Sequence, residues 1–455
     1  MKRNGHEQVL AMHRFGFGAS QHDLLATGTN PRDAVLQQLA LVQPVFMDKL
    51  PKATDHLARI AHYRAAPAHS KEQLITQLRT DMRGDSDQLF LRRTEMAVES
   101  HTPFVERLVH FWSNHFAVSG KKSFLGPAAA GFEFEVIRPH VLGSFTDMLL
   151  AAVSHPVMLI YLDNTTSMGA HSTAAINGVN NGKRRYGINE NLAREILELH
   201  SLGVRSGYKQ QDVVELSKAL TGWTVSDLRG AYASSPPGVF RFIDELHEPG
   251  ERKFLGKRYP EAGQEQARMM LQDLATHPHT AAHIAGKLCT HFVADHPPPE
   301  LVSLVTQAYL SSGGNLAETS MELLLSNLAW QPPLKKMKTP EQFILSSLRT
   351  LGVLTFDINY LRESLTAMGQ PPDYVPSPAG WPDEADTFSG GAGILRRIEF
   401  AHNLGTDTGG HEPTELYRQS FGPMAEKNAI NEIAHAESIA QGIALFLLSS
   451  GFQRR

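Results

Sequence analysis

Cysteine is nearly missing from this chain: Cys289 is the single one in 455 residues. That excludes an intrachain disulfide and any cysteine-built zinc or iron–sulfur centre. Long apolar runs are missing too, and no window approaches the roughly 18 apolar residues of a membrane-spanning helix. The start, Met1-Lys2-Arg3-Asn4-Gly5-His6, is basic but has no apolar stretch behind it, so a cytoplasmic protein is expected, or an exported one if a leader has been removed. Neither sign of charge dominates: 43 Lys and Arg against 47 Asp and Glu leave a net charge of -4, which gives no reason to expect nucleic acid as a partner. The usual catalytic signatures are absent as well. There is no His-Glu-x-x-His, no Gly-x-Ser-x-Gly and no phosphate-binding loop, since Gly250 to Gly256-Lys257 and Gly178 to Gly182-Lys183 have the wrong spacing. Asp383-Glu384-Ala385-Asp386 matches a helicase box in letters only, and Ser389-Gly390-Gly391-Ala392-Gly393 has no preceding strand to make it a dinucleotide fingerprint.

What is present is apolar residues in a helical rhythm. With 42% hydrophobic and 20% charged residues a large core can be buried. The 3.6-residue period runs through Pro103 to Val118, Phe132 to Ser154, Asn189 to Leu202, Gln210 to Leu220, Glu261 to Ala275, His279 to Ala294, Leu301 to Ser311, Thr339 to Leu351 and Ser438 to Ser449. The expected fold is mainly α, a large multi-helical domain with a small β-hairpin insertion near 238–256, where Phe240-Arg241-Phe242 and Arg252-Lys253-Phe254 alternate around His247-Glu248-Pro249-Gly250. His247 and Glu248 are expected on an exposed turn. The chain divides into an N-terminal helical region (1–163), a Gly- and Asn-rich loop (164–188) and a C-terminal helical region (189–455), read as one continuous globular unit. A second irregular stretch, Gly369 to Gly393, carries Tyr374, Trp381 and many prolines; it reads as a surface cap or as the wall of a ligand cleft.

Histidine is abundant, with 22 residues, and most are expected at the surface, where they would make the protein strongly cationic below about pH 6.5. Two are expected inside. On the helix from Asn189 to Gly203, with Asn189 as N-cap, a turn of about 100° per residue sets His200 among Leu192, Ala193, Ile196, Leu197 and Leu199, and Glu190, Asn191, Arg194, Glu195 and Glu198 on the opposite face. On Phe104 to Phe116 it sets His115 in the apolar arc, with Glu106 and His110 facing outward. An inward imidazole without a partner costs about 1 to 3 kcal/mol, so each should meet a carboxylate, a backbone carbonyl, water or a metal.

Asp163, at the edge of the long loop, and Glu198 are the acids placed to complete such a site. Arg194 suits an anionic substrate group, and Glu195, Asn189 and Trp223 are further binding candidates. The two glutamates alternatively pair with Arg194, Arg138 or Lys218. A His-rich site without cysteine suits a divalent metal held by His115 and His200, and a metal-assisted hydrolysis of a small polar or anionic substrate under a lid formed by 164–188. The competing reading is a non-enzymatic binding or assembly protein whose polar network only fixes the helices.

Eight blocks in order, Arg14-Phe15-Gly16-Phe17-Gly18, Phe111-Trp112-Ser113-Asn114-His115-Phe116, Arg138-Pro139-His140, Tyr161-Leu162-Asp163-Asn164, Asn189-Glu190-Asn191 to Glu198-Leu199-His200, Ala219-Leu220-Thr221-Gly222-Trp223, His291-Phe292-Val293 and Ser377-Pro378-Ala379-Gly380-Trp381-Pro382, span nearly the whole chain. In these the sequence resembles the bacterial family catalogued as domain of unknown function 1800. The resemblance implies no activity and no catalytic residue; it implies export for many relatives, and it makes His115, Asp163, the Asn189 to His200 segment and Trp223 elements of a family pattern.

Overall fold

A computed structural model describes residues 2–41, 49–122, 124–180, 187–204, 206–226, 236–408 and 410–455. It is mainly helical, as the apolar period requires. The helices start where the sequence provides for it. Pro103, Pro156, Pro278, Pro299, Pro340 and Pro413 each occupy a first turn, where the missing N–H costs no bond. Thr339 and Gln342 close a capping box at the head of Pro340–Leu351.

Two expected helices are interrupted. Phe132 to Ser154 is Gly126–Phe132, a wide π turn Glu133–Ile137, Arg138–His140 and, after a break at Gly143, Phe145–Ser154 started by the Ser144 side chain. The helix at Asn189 is Asn191–Glu195 followed by a second π turn, Ile196–His200. The longest helix, Lys71–Glu99, has no apolar stripe to announce it; polar residues surround it and only Leu78, Leu89, Phe90, Thr94, Ala97 and Val98 are buried.

Strand 240–242 does not fold back on 252–254. Phe240–Phe242 pairs antiparallel with Trp223–Val225, and Arg252–Phe254 makes its own hairpin with Lys257–Tyr259. That hairpin turns through Leu255 (φ 46°) and Gly256 (φ 82°), the left-handed pair that a two-residue connection demands. The expected single insertion is therefore two separate ribbons. His247 and Glu248 between them are buried, contrary to the exposed turn expected. The His247 ring bonds the Thr221 carbonyl (2.9 Å) and the Glu248 amide donates to the Thr221 hydroxyl (2.8 Å).

The stretch 164–188 is not wholly irregular: it holds a short 3-10 turn, Asn164–Thr166, and a helix, Thr173–Asn180, while 181–186 lie outside the described residues. One main core cluster gathers residues from Val9 to Phe452. The ends of the chain meet in it, His13 stacking on Phe421 (4.6 Å between rings) and bonding the Ser420 carbonyl (3.1 Å). No helix among the described residues is long and apolar enough to cross a membrane.

Candidate functional site

The His115 and His200 rings do converge, their centroids 6.1 Å apart in the interior. The geometry explains why. The wide turn at Ile196–His200 leaves carbonyls at the end of its helix without intrahelical partners, a demand every helix end makes. The Ser201 hydroxyl donates to the Ile196 carbonyl (2.6 Å), His283 Nε2 to that of Leu199 (3.2 Å) and His115 Nε2 to that of His200 (3.1 Å). Two imidazoles from other helices thus cap this end. Because a carbonyl only accepts, the proton of His115 lies on Nε2, and Nδ1 is left as an acceptor. It is used: Lys287 Nζ donates to it at 3.0 Å.

Both nitrogens of His115 are therefore occupied, one by a carbonyl and one by an ammonium, which is not a metal ligand's arrangement. Both nitrogens of His200 are buried without a protein partner. Among the described residues no group of three or more His, Cys, Asp or Glu is arranged to hold a metal ion. The donor set does not fit the divalent metal expected at His115 and His200. Burial, with Lys287 next in strength, pushes His115 well below the usual imidazole range and His200 down to about 3, so both rings are neutral at physiological pH.

The remaining residues picked from the sequence lie elsewhere. Asp163 sits in the left-handed region (φ 61°), half exposed, paired with Lys122. Glu198 faces Arg194 at 3.7 Å, and Arg194 bonds Glu190 (2.8 Å), an exposed i,i+4 ladder and not an anion clamp. Burial and the charge of Glu198 raise the Glu195 pKa. Asn189 accepts from the Asn191 amide (2.9 Å) and so stands one position ahead of the cap, which is Glu190. Trp223 is core, packed edge-on against Phe240 (5.2 Å).

Glu106 and His110, expected to face solvent, are buried, because the Glu133–Ile137 turn covers that side of their helix. Arg138 bonds Glu106 (2.9 Å) and Glu133 (2.7 Å), and Arg93 bonds Glu133 (2.6 Å) and pairs with Glu341. Burial alone would raise Glu133; Arg93 and Arg138 overturn that and hold its carboxyl well below the carboxylate range.

The cleft beside Lys287 is not placed by the sequence, although Gly369 to Gly393 reads there as a surface cap or the wall of a ligand cleft. It measures about 480 Å³ and is walled by Phe111, Asn114, His115, His283, Lys287, Thr290 and His291 on one side and by Ala379, Trp381, Pro382 and Asp383 on the other. The second wall is the Pro-rich stretch, clipped to the Asn114 side chain. The Trp381 amide donates to Asn114 Oδ1 (2.7 Å) and Asn114 Nδ2 to the Trp381 carbonyl (2.8 Å). Gly380 (φ 83°) is required there, since a Cβ would lie 2.4 Å from the Asn114 carbonyl. Behind the clip Asp383 bonds Arg455 (2.6 Å), His291 Nδ1 (3.1 Å) and, more loosely, Lys336 (3.4 Å). These charges outweigh burial and keep Asp383 ionised. His291 Nε2 in turn accepts from Arg107 (3.2 Å). A narrower cleft of about 170 Å³ lies beyond, sharing Asn114, His291, Trp381, Pro382 and Asp383 as its partition.

Lys287 is the lysine of this cleft: it donates to the His115 imidazole, while Asp383 acts on it only at longer range. Burial brings its pKa down to about 8. Its one sequence sign was a lysine on the apolar-patterned segment from His279 to Ala294, where a flexible cation reads as a side chain reaching for water.

Comparison with family models matches residues 10–454 to a protein family of unknown function, DUF1800. The chain belongs to that family. Comparison with curated proteins and with solved structures found no match.

Proposed function

We propose that this protein is an enzyme acting on a small polar or anionic substrate in the Lys287 cleft, with the Lys287 amine as its acid–base group. The observation that carries this is a cleft-lining ammonium whose hydrogen bond goes to a neutral imidazole and not to a carboxylate. Lys336, by contrast, is paired with Asp295 (2.6 Å). A lysine that gives up its proton near neutral pH is suited to proton transfer. His115 is a positioning residue: its Nε2–H is spent on the His200 carbonyl, and its Nδ1 orients the amine. The expected metal-assisted hydrolysis is replaced by chemistry based on this amine.

The non-enzymatic reading keeps two specific supports, the Glu106–Arg138–Glu133 network and the sealed His200, which suit architecture. Thermal shift with phosphate, acetate and succinate separates the two. A saturable rise in Tm for at least one of them, lost in Lys287→Ala, is the expected result. No rise with any, or a rise kept by Lys287→Ala, would contradict the proposal.

A further inference from the structure

Beyond proton transfer, and resting on the same cleft, we propose that Lys287 is a nucleophile that forms an imine with a small aldehyde or ketone. Three features carry this. First, the contact made by Nζ suits the neutral amine as well as the ammonium: His115 Nδ1 accepts an N–H from either form, and its tautomer is fixed by the His200 carbonyl 3.1 Å from Nε2. No carboxylate among the described residues hydrogen-bonds Nζ. The nearest acid in effect, Asp383, is instead bonded to Arg455, His291 and Lys336. Second, the one N–H held by His115 fixes the amine's orientation and leaves its lone pair free for attack. Third, the cleft sets apolar walls, Phe111, Ala282, Ala379, Trp381 and Pro382, beside polar side chains such as Asn114 and Thr290, surroundings that fit both the carbon body and the oxygen of a carbonyl compound.

The step balances without an oxidant or reductant. The Nζ lone pair forms a bond to the carbonyl carbon while the C=O π pair moves to oxygen, which takes up a proton as nitrogen loses one. The resulting carbinolamine expels its hydroxyl as water, assisted by one solvent proton, and leaves a C=N bond to Lys287. His283 and His200 face the same amine as neutral rings, lowered by burial to about 4 and about 3, so neither offers a competing charge.

The test is reductive trapping of the full chain with glyoxylate or propanal and cyanoborohydride, followed by peptide mapping. At pH 8 about half of Lys287 is unprotonated, against about 1% or less of an exposed lysine. Allowing for its lower basicity, Lys287 should be alkylated about tenfold faster than Lys253 or Lys257. Its rate should also level off above pH 8, and Lys287→Arg should remove the adduct at that peptide. His115→Gln should move the pH profile of labelling upward; the wild-type profile alone suffices if that variant fails to fold. Labelling of Lys287 no faster than of Lys253, at every pH, overturns the inference. If acetate or phosphate still stabilises the wild type in that case, the substrate cleft stands and only the imine falls. If neither is seen, both fall. Propanal and glyoxylate compared side by side show whether the carbonyl compound must carry a negative charge.

Discussion

At the scale of single residues, the site is a set of proton positions fixed by backbone carbonyls. His115 donates from Nε2 because the His200 carbonyl admits nothing else, and Lys287 meets the nitrogen left over. An amine held this way costs stability. Unfolded, Lys287 takes up its proton below about 10.4; folded, it does so only below about 8. The unfolded chain binds the extra proton between those values, so folding weakens as pH falls through that window and stays weakened below it. Lys287→Met should therefore raise Tm at pH 7 while abolishing ligand response, the signature of a residue kept for function. A lower Tm would mark it as structural. His200 gives the opposite case. With both ring nitrogens buried and unpartnered, His200→Phe removes an unsatisfied polar group next to Phe116, and stability should hold or rise by about 1 kcal/mol in chemical denaturation. A large loss would mean that the ring has a partner that matters.

At the scale of elements, the sequence was informative wherever a helix has one apolar face. The inward turn of His115 and His200 was legible from that pattern alone, while the family was legible from the eight ordered blocks and not from any period. The rest was hidden for identifiable reasons. The Pro103–His115 helix is covered on both faces, so Glu106 and His110 read as solvent-facing although they belong to a buried ion network. Lys71–Glu99 shows no stripe. The π turns at Glu133–Ile137 and Ile196–His200 change register inside otherwise continuous patterns. The clip at Trp381 depends on its backbone pairing with the side-chain amide of Asn114, 267 residues away, which no local period reveals. Gly380→Ala drives a Cβ into the Asn114 carbonyl at a left-handed position, and should cost about 2 kcal/mol and weaken ligand binding, with Asn114→Ala producing the same loss of binding. Arg138→Ala leaves Glu106 and Glu133 buried and unpaired, and should cost about 3 to 5 kcal/mol by urea unfolding; a cost under about 1 kcal/mol would show that the network is dispensable.

At the scale of the whole molecule, a buried minority of the histidines shapes how stability depends on pH. His13, His110, His115, His200 and His291 are buried and lowered mainly by burial, His13 and His291 to about 3. These rings take up no proton in the fold but do so when unfolded, below about 6.5. Stability is thus fully present above that value and declines as pH falls beneath it. Glu133 and Asp383, whose folded pKa values are depressed, add a second decline below the unfolded carboxylate range near 4. Urea midpoints measured from pH 8 to pH 4 should fall from about 6.5 downward, with a steeper fall near 4. A flat profile would refute the buried neutral histidines.

The most direct measurement is the ionisation of the Lys287 amine itself, followed by NMR of lysine labelled with 15N at Nζ and assigned by comparison with Lys287→Arg. A midpoint near 8, moved by acetate or phosphate, is the expected result. A midpoint above about 10, as for a lysine in water, would contradict the assignment of this cleft as the working centre of the protein.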